Sequence, residues 1–87
     1  MGRSPISNRV RELRFYAGEM TQQELADHAG VTRQTIVAIE KQSYSPSLEL
    51  AFRIARAFGR RVDDVFSFDE DADENVGTGN ETKGEER

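Results

Sequence analysis

The chain contains no cysteine and no tryptophan, a single histidine and two prolines. Without cysteine, neither a disulfide nor a thiolate metal site can hold the fold together, which suits a reducing compartment. No apolar run approaches the roughly 20 residues that a membrane-spanning helix needs, and the opening MGRSPIS lacks the apolar core of a signal peptide. A cytoplasmic location and no membrane contact are therefore expected. Apolar residues make up 36% of 87 positions, enough for one small domain near the lower limit of independent stability. Also missing are a nucleophile beside a base, a phosphate-cradling glycine loop and a ligand cluster of metal spacing. The expectation is a non-enzyme with no cofactor and no metal.

Positive charge is scarce as well, at −4 net, but its distribution matters more than its sum. Residues 1–66 carry ten Lys/Arg against eight Asp/Glu, whereas residues 67–87 carry two against eight. The body is mildly basic, with Arg3, Arg9, Arg11 and Arg14 towards one end and Arg53, Arg56, Arg60 and Arg61 towards the other. From Asp69 onward, DEDADENVGTGNETKGEER holds one aliphatic residue larger than alanine, Val76. Such a segment cannot bury enough apolar surface to offset its ordering entropy. The division expected is a domain over 1–68 and a disordered acidic tail over 69–87, serving to solubilise the protein or to regulate it by repelling or mimicking phosphates.

The body reads as helices separated by caps. Ser7 or Asn8 caps a first helix with Val10, Leu13 and Ala17 on one face, ended by Gly18. Thr21-Gln22-Gln23-Glu24 has the form of a capping box, with Met20 and Leu25 placed for a hydrophobic staple. That helix runs to Gly30, which accepts positive φ without a Cβ penalty. Only Val31 separates Gly30 from the next cap, Thr32, so two short helices must cross steeply. The second of them opens with Arg33, Gln34 and Thr35 before turning apolar at Ile36, Val37 and Ile39. After Pro46, a cap at Ser47 starts a fourth helix with Leu48, Ala51, Phe52, Ala55 and Phe58 on one stripe and Leu50, Ile54 and Ala57 on another, the pattern of a central helix. VDDVFSF supplies a fifth. The fold class predicted is all-α, a compact five-helix bundle with no strand and a helix-turn-helix at its centre. Phe52 and Phe58 are expected in the core, Phe15 and Tyr16 packed or half-packed, and His28 at the surface.

The ordered series TQQELA, TRQTI, IE and PSLELA, lying within the 58 residues from Arg9 to Phe66, resembles the Xre-type (Cro/CI-type) helix-turn-helix transcriptional regulators of bacteria, archaea and phages, in particular their short single-domain members. The resemblance implies a lambda-repressor-like DNA-binding domain with the helix that begins at Arg33 in the major groove. An arginine there can bond to guanine O6 and N7 and a glutamine to adenine N6 and N7, each good pair discriminating by roughly 1–3 kcal/mol. By the same resemblance, Arg33 and Gln34 read bases. Thr35 meets phosphate or a thymine methyl, and Val37 and Ala38 lie farther along the groove-facing side. Gln22, Thr32, Lys41, Ser43 and Arg9 are the implied phosphate contacts, with Arg3 a lesser one. Arg14 and Glu40 match an ion pair that ties the first helix to the third.

Two further expectations follow. Relatives usually carry glycine and then a basic residue after IEK, where this chain has Gln42 and Ser43. A left-handed Gln42 carries about 1 kcal/mol of strain, and its replacement by glycine is expected to stabilise the fold. Val62, Val65, Phe66 and Phe68 put four apolar residues into seven, which either caps the core or forms a two-fold dimer patch. The functional expectation is a sequence-specific regulator of double-stranded DNA, a repressor acting as a homodimer on an inverted repeat and associated with the nucleoid. The alternative is an antitoxin or adaptor whose acidic tail or apolar patch engages a protein. With no second domain, a small-molecule effector is not expected.

Overall fold

The computed structural model describes residues 3–70. In chain order these form β1 (Ile6–Asn8), α1 (Val10–Tyr16), α2 (Gln22–Ala29), α3 (Arg33–Glu40), α4 (Leu48–Ala57), α5 (Val62–Val65) and β2 (Phe66–Phe68). The five helices are as expected, but the chain is not purely helical. β1 and β2 pair antiparallel, with Ile6 opposite Phe68, Ser7 opposite Ser67 and Asn8 opposite Phe66. The VDDVFSF segment therefore divides after one helical turn. Its FSF half alternates apolar and polar side chains as strands do, and it finds its partner 60 residues upstream.

Caps set the helix boundaries. The Thr21 hydroxyl accepts from the Glu24 amide at 2.9 Å while the Glu24 carboxylate accepts from the Thr21 amide at 2.8 Å, a complete capping box. Thr32 and Ser47 accept from the amides of Thr35 and Leu50. The first helix differs from expectation: neither Ser7 nor Asn8 is its N-cap, which is Arg9 with no side-chain cap bond. Asn8 is used twice instead. Its Oδ1 accepts from the Val10 amide at 3.0 Å, and its Nδ2 donates to the Ile39 carbonyl at 2.8 Å, joining the start of α1 to the end of α3.

Val10 and Leu13 of α1, Leu25, Ala26 and Ala29 of α2, Ile36 and Ile39 of α3 and Leu50, Ala51, Ile54 and Ala55 of α4 make one core. Burying them is the main driving force for this arrangement. Ala26 and Ala29 lie fully buried on α2, which packs on both α3 and α4. Both apolar stripes on α4 contribute to the core, through Leu50 and Ile54 on one and Ala51 and Ala55 on the other, but two members of the latter stripe do not. Leu48 is 72% exposed and Phe52 52% exposed, so Phe52 is not a core aromatic, while Phe58 is half-buried against the cluster. At 100° per residue, Leu50, Ile54 and Ala51 centre on the core and Leu48 and Phe52 fall on the flank beyond it. Phe15 and Tyr16 are likewise exposed and touch each other edge to face at 5.4 Å between centroids. His28 is exposed, as expected.

Val65 and Phe66 close the open end of this core and are buried within it. They are therefore removed from any exposed dimer patch, and only half-buried Val62 and Phe68, 49% exposed, remain of it. Asp69 also belongs to the body rather than to the tail. It forms an ion pair with Arg3 at 3.3 Å, accepts from the Gln42 amide group at 3.2 Å, and its backbone amide donates to the Pro5 carbonyl. Residues 71–87, where the acidic tail was expected, lie outside the described residues. Among the described residues no helix is long and apolar enough to cross a membrane, and no group of side chains is arranged to hold a metal ion.

Candidate nucleic-acid interface

The outward face of α3 follows from what its inward face must bury. With Ile36 and Ile39 fully buried, the 100° period places Gln34, Val37, Ala38 and Lys41 on one stripe directly opposite, at i, i+3, i+4 and i+7. Arg33 and Gln34 are exposed at the first turn, and Val37 and Ala38 are half-exposed below them. Neither Arg33 nor Gln34 makes a side-chain hydrogen bond or ion pair among the described residues. Thr35 sits off this stripe. It is half-buried on the flank that meets Tyr44 and Ser47, with its hydroxyl 3.2 Å from that of Thr32.

Glu40 anchors the other flank. Arg14 grips it bidentately, Nε to Oε2 at 2.7 Å and Nη2 to Oε1 at 3.1 Å, and its Nη1 donates to the Met20 carbonyl at 2.8 Å. The two side chains are 16% and 10% exposed, so the pair is largely desolvated. Gln22 donates to the same carboxylate at 3.1 Å. One side-chain hydrogen of Gln22 is thereby spent inside the fold, and the other stays available at the start of α2.

Between α1, α2 and α3 lies a depression of about 570 Å³ lined by Arg11, Arg14, Thr21, Gln22, Val37, Glu40 and Lys41. Its charged lining is three cations against one carboxylate, and that carboxylate is already taken by Arg14. Arg11 was not singled out from the sequence for this site. The signal was present, because Arg11 is one residue past the buried Val10 and three before Arg14, which places it beside Arg14 on the solvent side of α1. Several arginines in a row gave no reason to prefer it until the helix phase was known.

Other expected contacts are occupied within the fold. Arg9 bonds Glu12 through Nε at 3.2 Å and Nη2 at 3.3 Å, and its Nη1 donates to the Asp64 carbonyl. The Arg9 guanidinium holds the Glu12 carboxyl below its ordinary range, first through these hydrogen bonds and then through charge. The Ser43 hydroxyl donates to the Ala38 carbonyl at 3.1 Å, and its amide donates there too at 2.9 Å. A phosphate contact would need that hydroxyl hydrogen. Arg3 is paired with Asp69.

The C-terminal end of α3 has the two bonds of a Schellman motif, Ser43 amide to Ala38 carbonyl and Gln42 amide to Ile39 carbonyl. Gln42 holds the left-handed position at φ 61°, where glycine is usual. Its side chain is not idle, however, since Nε2 donates to the Ser4 carbonyl at 2.8 Å and to Asp69. The main chain adds a bond from the Ser4 amide to the Gln42 carbonyl, and the hydroxyls of Ser4 and Ser45 are bonded to each other. Gln42 therefore ties the end of α3 to both ends of the described chain.

Two short helices joined through Gly30 at φ 75°, the second presenting an unoccupied polar first turn, form a helix-turn-helix. A family model described as Helix-turn-helix matches residues 10–65, more than half of the chain. The chain belongs to the Xre-type helix-turn-helix transcriptional regulators. An uncharacterized HTH-type transcriptional regulator of Methanothermobacter thermautotrophicus is 60% identical over 63 residues, which are 71% of this chain and 90% of that protein. The uncharacterized HTH-type transcriptional regulator YgzD of Bacillus subtilis is 47% identical over 66 residues, 76% of this chain and 98% of that protein. The cryptic phage CTXphi transcriptional repressor RstR of Vibrio cholerae is 32% identical over 62 residues, 71% of this chain and 55% of that protein. In this Xre-type regulator, the helix-turn-helix is α2, Gly30 to Thr32, and α3, and the site described above is its outward face.

Proposed function

We propose that this regulator binds double-stranded DNA sequence-specifically, with α3 in the major groove, and that it acts as a homodimeric repressor on an inverted repeat. The observation that carries the reading is the solvent-facing stripe of α3. Gln34 opens it and Arg33 stands exposed beside it, both with donors that no group among the described residues occupies, and Val37 and Ala38 continue it as a surface that can lie against a thymine methyl. Arg33 suits guanine O6 and N7, and Gln34 suits adenine N6 and N7. Thr35, set back beside Thr32, suits a phosphate rather than a base edge. Gln22, Thr32 and Lys41 set register through the backbone, contacts that carry no sequence information. The repressor role rests on the name of the relative RstR, and the inverted repeat on two-fold symmetric assembly. The names of the relatives give the antitoxin or adaptor alternative no support.

The test is selection of bound duplexes from a random pool by the full chain, in parallel with the double variant Arg33→Ala, Gln34→Ala. The expected result is a palindromic motif recovered by the wild type and lost by the variant. A motif retained by the variant removes α3 as the reading element, and recovery of a non-palindromic motif removes the dimer.

A further inference from the structure

We propose that Arg11, on the first helix, is a further anchor for the DNA backbone, gripping a phosphate at the rim of the depression between α1 and α3. This deepens, and rests on, the reading of α3 as the helix in the groove.

The argument starts from where the counter-ions go. α1 and its N-cap carry four charged side chains, Arg9, Arg11, Glu12 and Arg14. Arg9 takes Glu12, and Arg14 takes Glu40. Arg11 is exposed and makes no ion pair or side-chain hydrogen bond among the described residues. It nevertheless lines the same depression as Gln22, Val37 and Lys41. Glu40, the one carboxylate there, accepts from Arg14 and Gln22 together, so little of its charge is left to neutralise a third cation. The fold thus presents Arg11 and Lys41, neither with a counter-ion among the described residues, in the lining of one depression together with Val37. Of the other described arginines without an ion pair, Arg33 opens α3 itself, and Arg56 and Arg60, on α4 and in the turn after it, do not line this depression.

A planar guanidinium held at the rim of a positively charged concavity matches a phosphodiester, whose two free oxygens can take its paired N–H groups. An α1 contact also differs in kind from those of α2 and α3, because it comes from outside the helix-turn-helix. A grip there fixes how far the recognition helix rolls in the groove, and it acts on every sequence alike.

The experiment is a salt titration of binding by the full chain to the selected duplex and to a scrambled one of equal length. It uses the wild type, Arg11→Ala, Arg11→Lys and the Arg33→Ala, Gln34→Ala variant, with melting temperatures as a folding check. Removing one phosphate contact is expected to make the slope of log K against log salt shallower by about 0.9. At low salt Arg11→Ala should weaken binding roughly tenfold on both duplexes, within the range of a charge-assisted hydrogen bond. Arg11→Lys should restore most of the slope, because it keeps the charge. An unchanged slope for Arg11→Ala overturns the assignment, and so does a loss confined to the selected duplex. If that occurs while the α3 variant still loses sequence preference, only Arg11 is misassigned. If the wild type binds neither duplex, the assignment falls together with the reading of α3.

Discussion

Glu40→Ala removes the acceptor of three side-chain hydrogen bonds, two from Arg14 and one from Gln22. The guanidinium left behind is 16% exposed, and its one remaining bond is to the Met20 carbonyl. Stranding one member of a buried pair costs about 3–5 kcal/mol. The residual exposure and the Met20 bond place this case at about 3 kcal/mol, since water reaches part of the guanidinium and one donor stays satisfied. In a domain of this size each kcal/mol moves the melting temperature by about 4–8 °C, so a fall of more than about 10 °C is expected. Urea denaturation followed by far-UV circular dichroism gives the free energy directly, and DNA binding should be lost in step with the folded fraction. The double replacement Arg14→Met, Glu40→Met separates charge stranding from packing. Buried ion pairs exchanged for apolar residues of similar volume are often neutral, so the double variant should recover much of the loss. A Glu40→Ala protein within about 0.5 kcal/mol of wild type, inside the range of ordinary surface substitutions, would refute the reasoning. So would a double variant less stable than the single one.

Three other outcomes are expected. Glu19 has φ 61° directly after Gly18 at φ 81° and places a carboxylate near the negative end of α1, so Glu19→Gly should stabilise the fold by about 1 kcal/mol, and a lower urea midpoint would count against it. For Gln42, the bonds to Ser4 and Asp69 reverse the sign drawn from the sequence. Losing two hydrogen bonds at about 0.5–1.5 kcal/mol each outweighs about 1 kcal/mol of relieved strain. Gln42→Gly should therefore melt slightly below wild type and Gln42→Ala about 1 kcal/mol lower still, and equal midpoints for the two variants would contradict a left-handed position 42. Phe68→Asp should leave the core intact, because Phe68 is half-exposed, while lowering the oligomeric mass measured by sedimentation. An unchanged mass would exclude Phe68 from the subunit contact.

Much of this architecture is local and was legible as such. The capping box at Thr21, the left-handed Gly30 and the cap at Ser47 are each decided within about four residues, by hydrogen bonds between near neighbours. The α3 stripe is legible for the same reason, since helix phase follows once Ile36 and Ile39 are known to be inside. What failed depended on distant partners. The three-residue strands are too short for periodicity to register, and their pairing joins Ser7 to Ser67. Leu48 and Phe52 have core-like spacing, but the core reaches only as far round α4 as Ala51 and Ala55, and the two larger side chains lie beyond it. The Arg14–Glu40 pair was expected from the resemblance, but which arginine is left without a counter-ion stayed hidden, because it also depends on Glu12 choosing Arg9 rather than Arg11.

The pairing of β1 with β2 also bears on the order in which the molecule assembles. α2, its turn and α3 lie within 19 consecutive residues and can meet early, because the loop they close is short. The two strands close a loop of about sixty residues for a ladder of only three residue pairs, and that closure entropy grows with loop length. The ladder should therefore form last and open first, as a local excursion that leaves α2 and α3 packed. In hydrogen exchange the amides of Ile6 to Asn8 and of Phe66 to Phe68 should trade protons well ahead of those of Leu25 and Ile39. An opening that reaches Ser4 and Asp69 also releases their bonds to Gln42, so beyond its own Schellman bonds the far end of α3 is tied down by the most transient part of the fold.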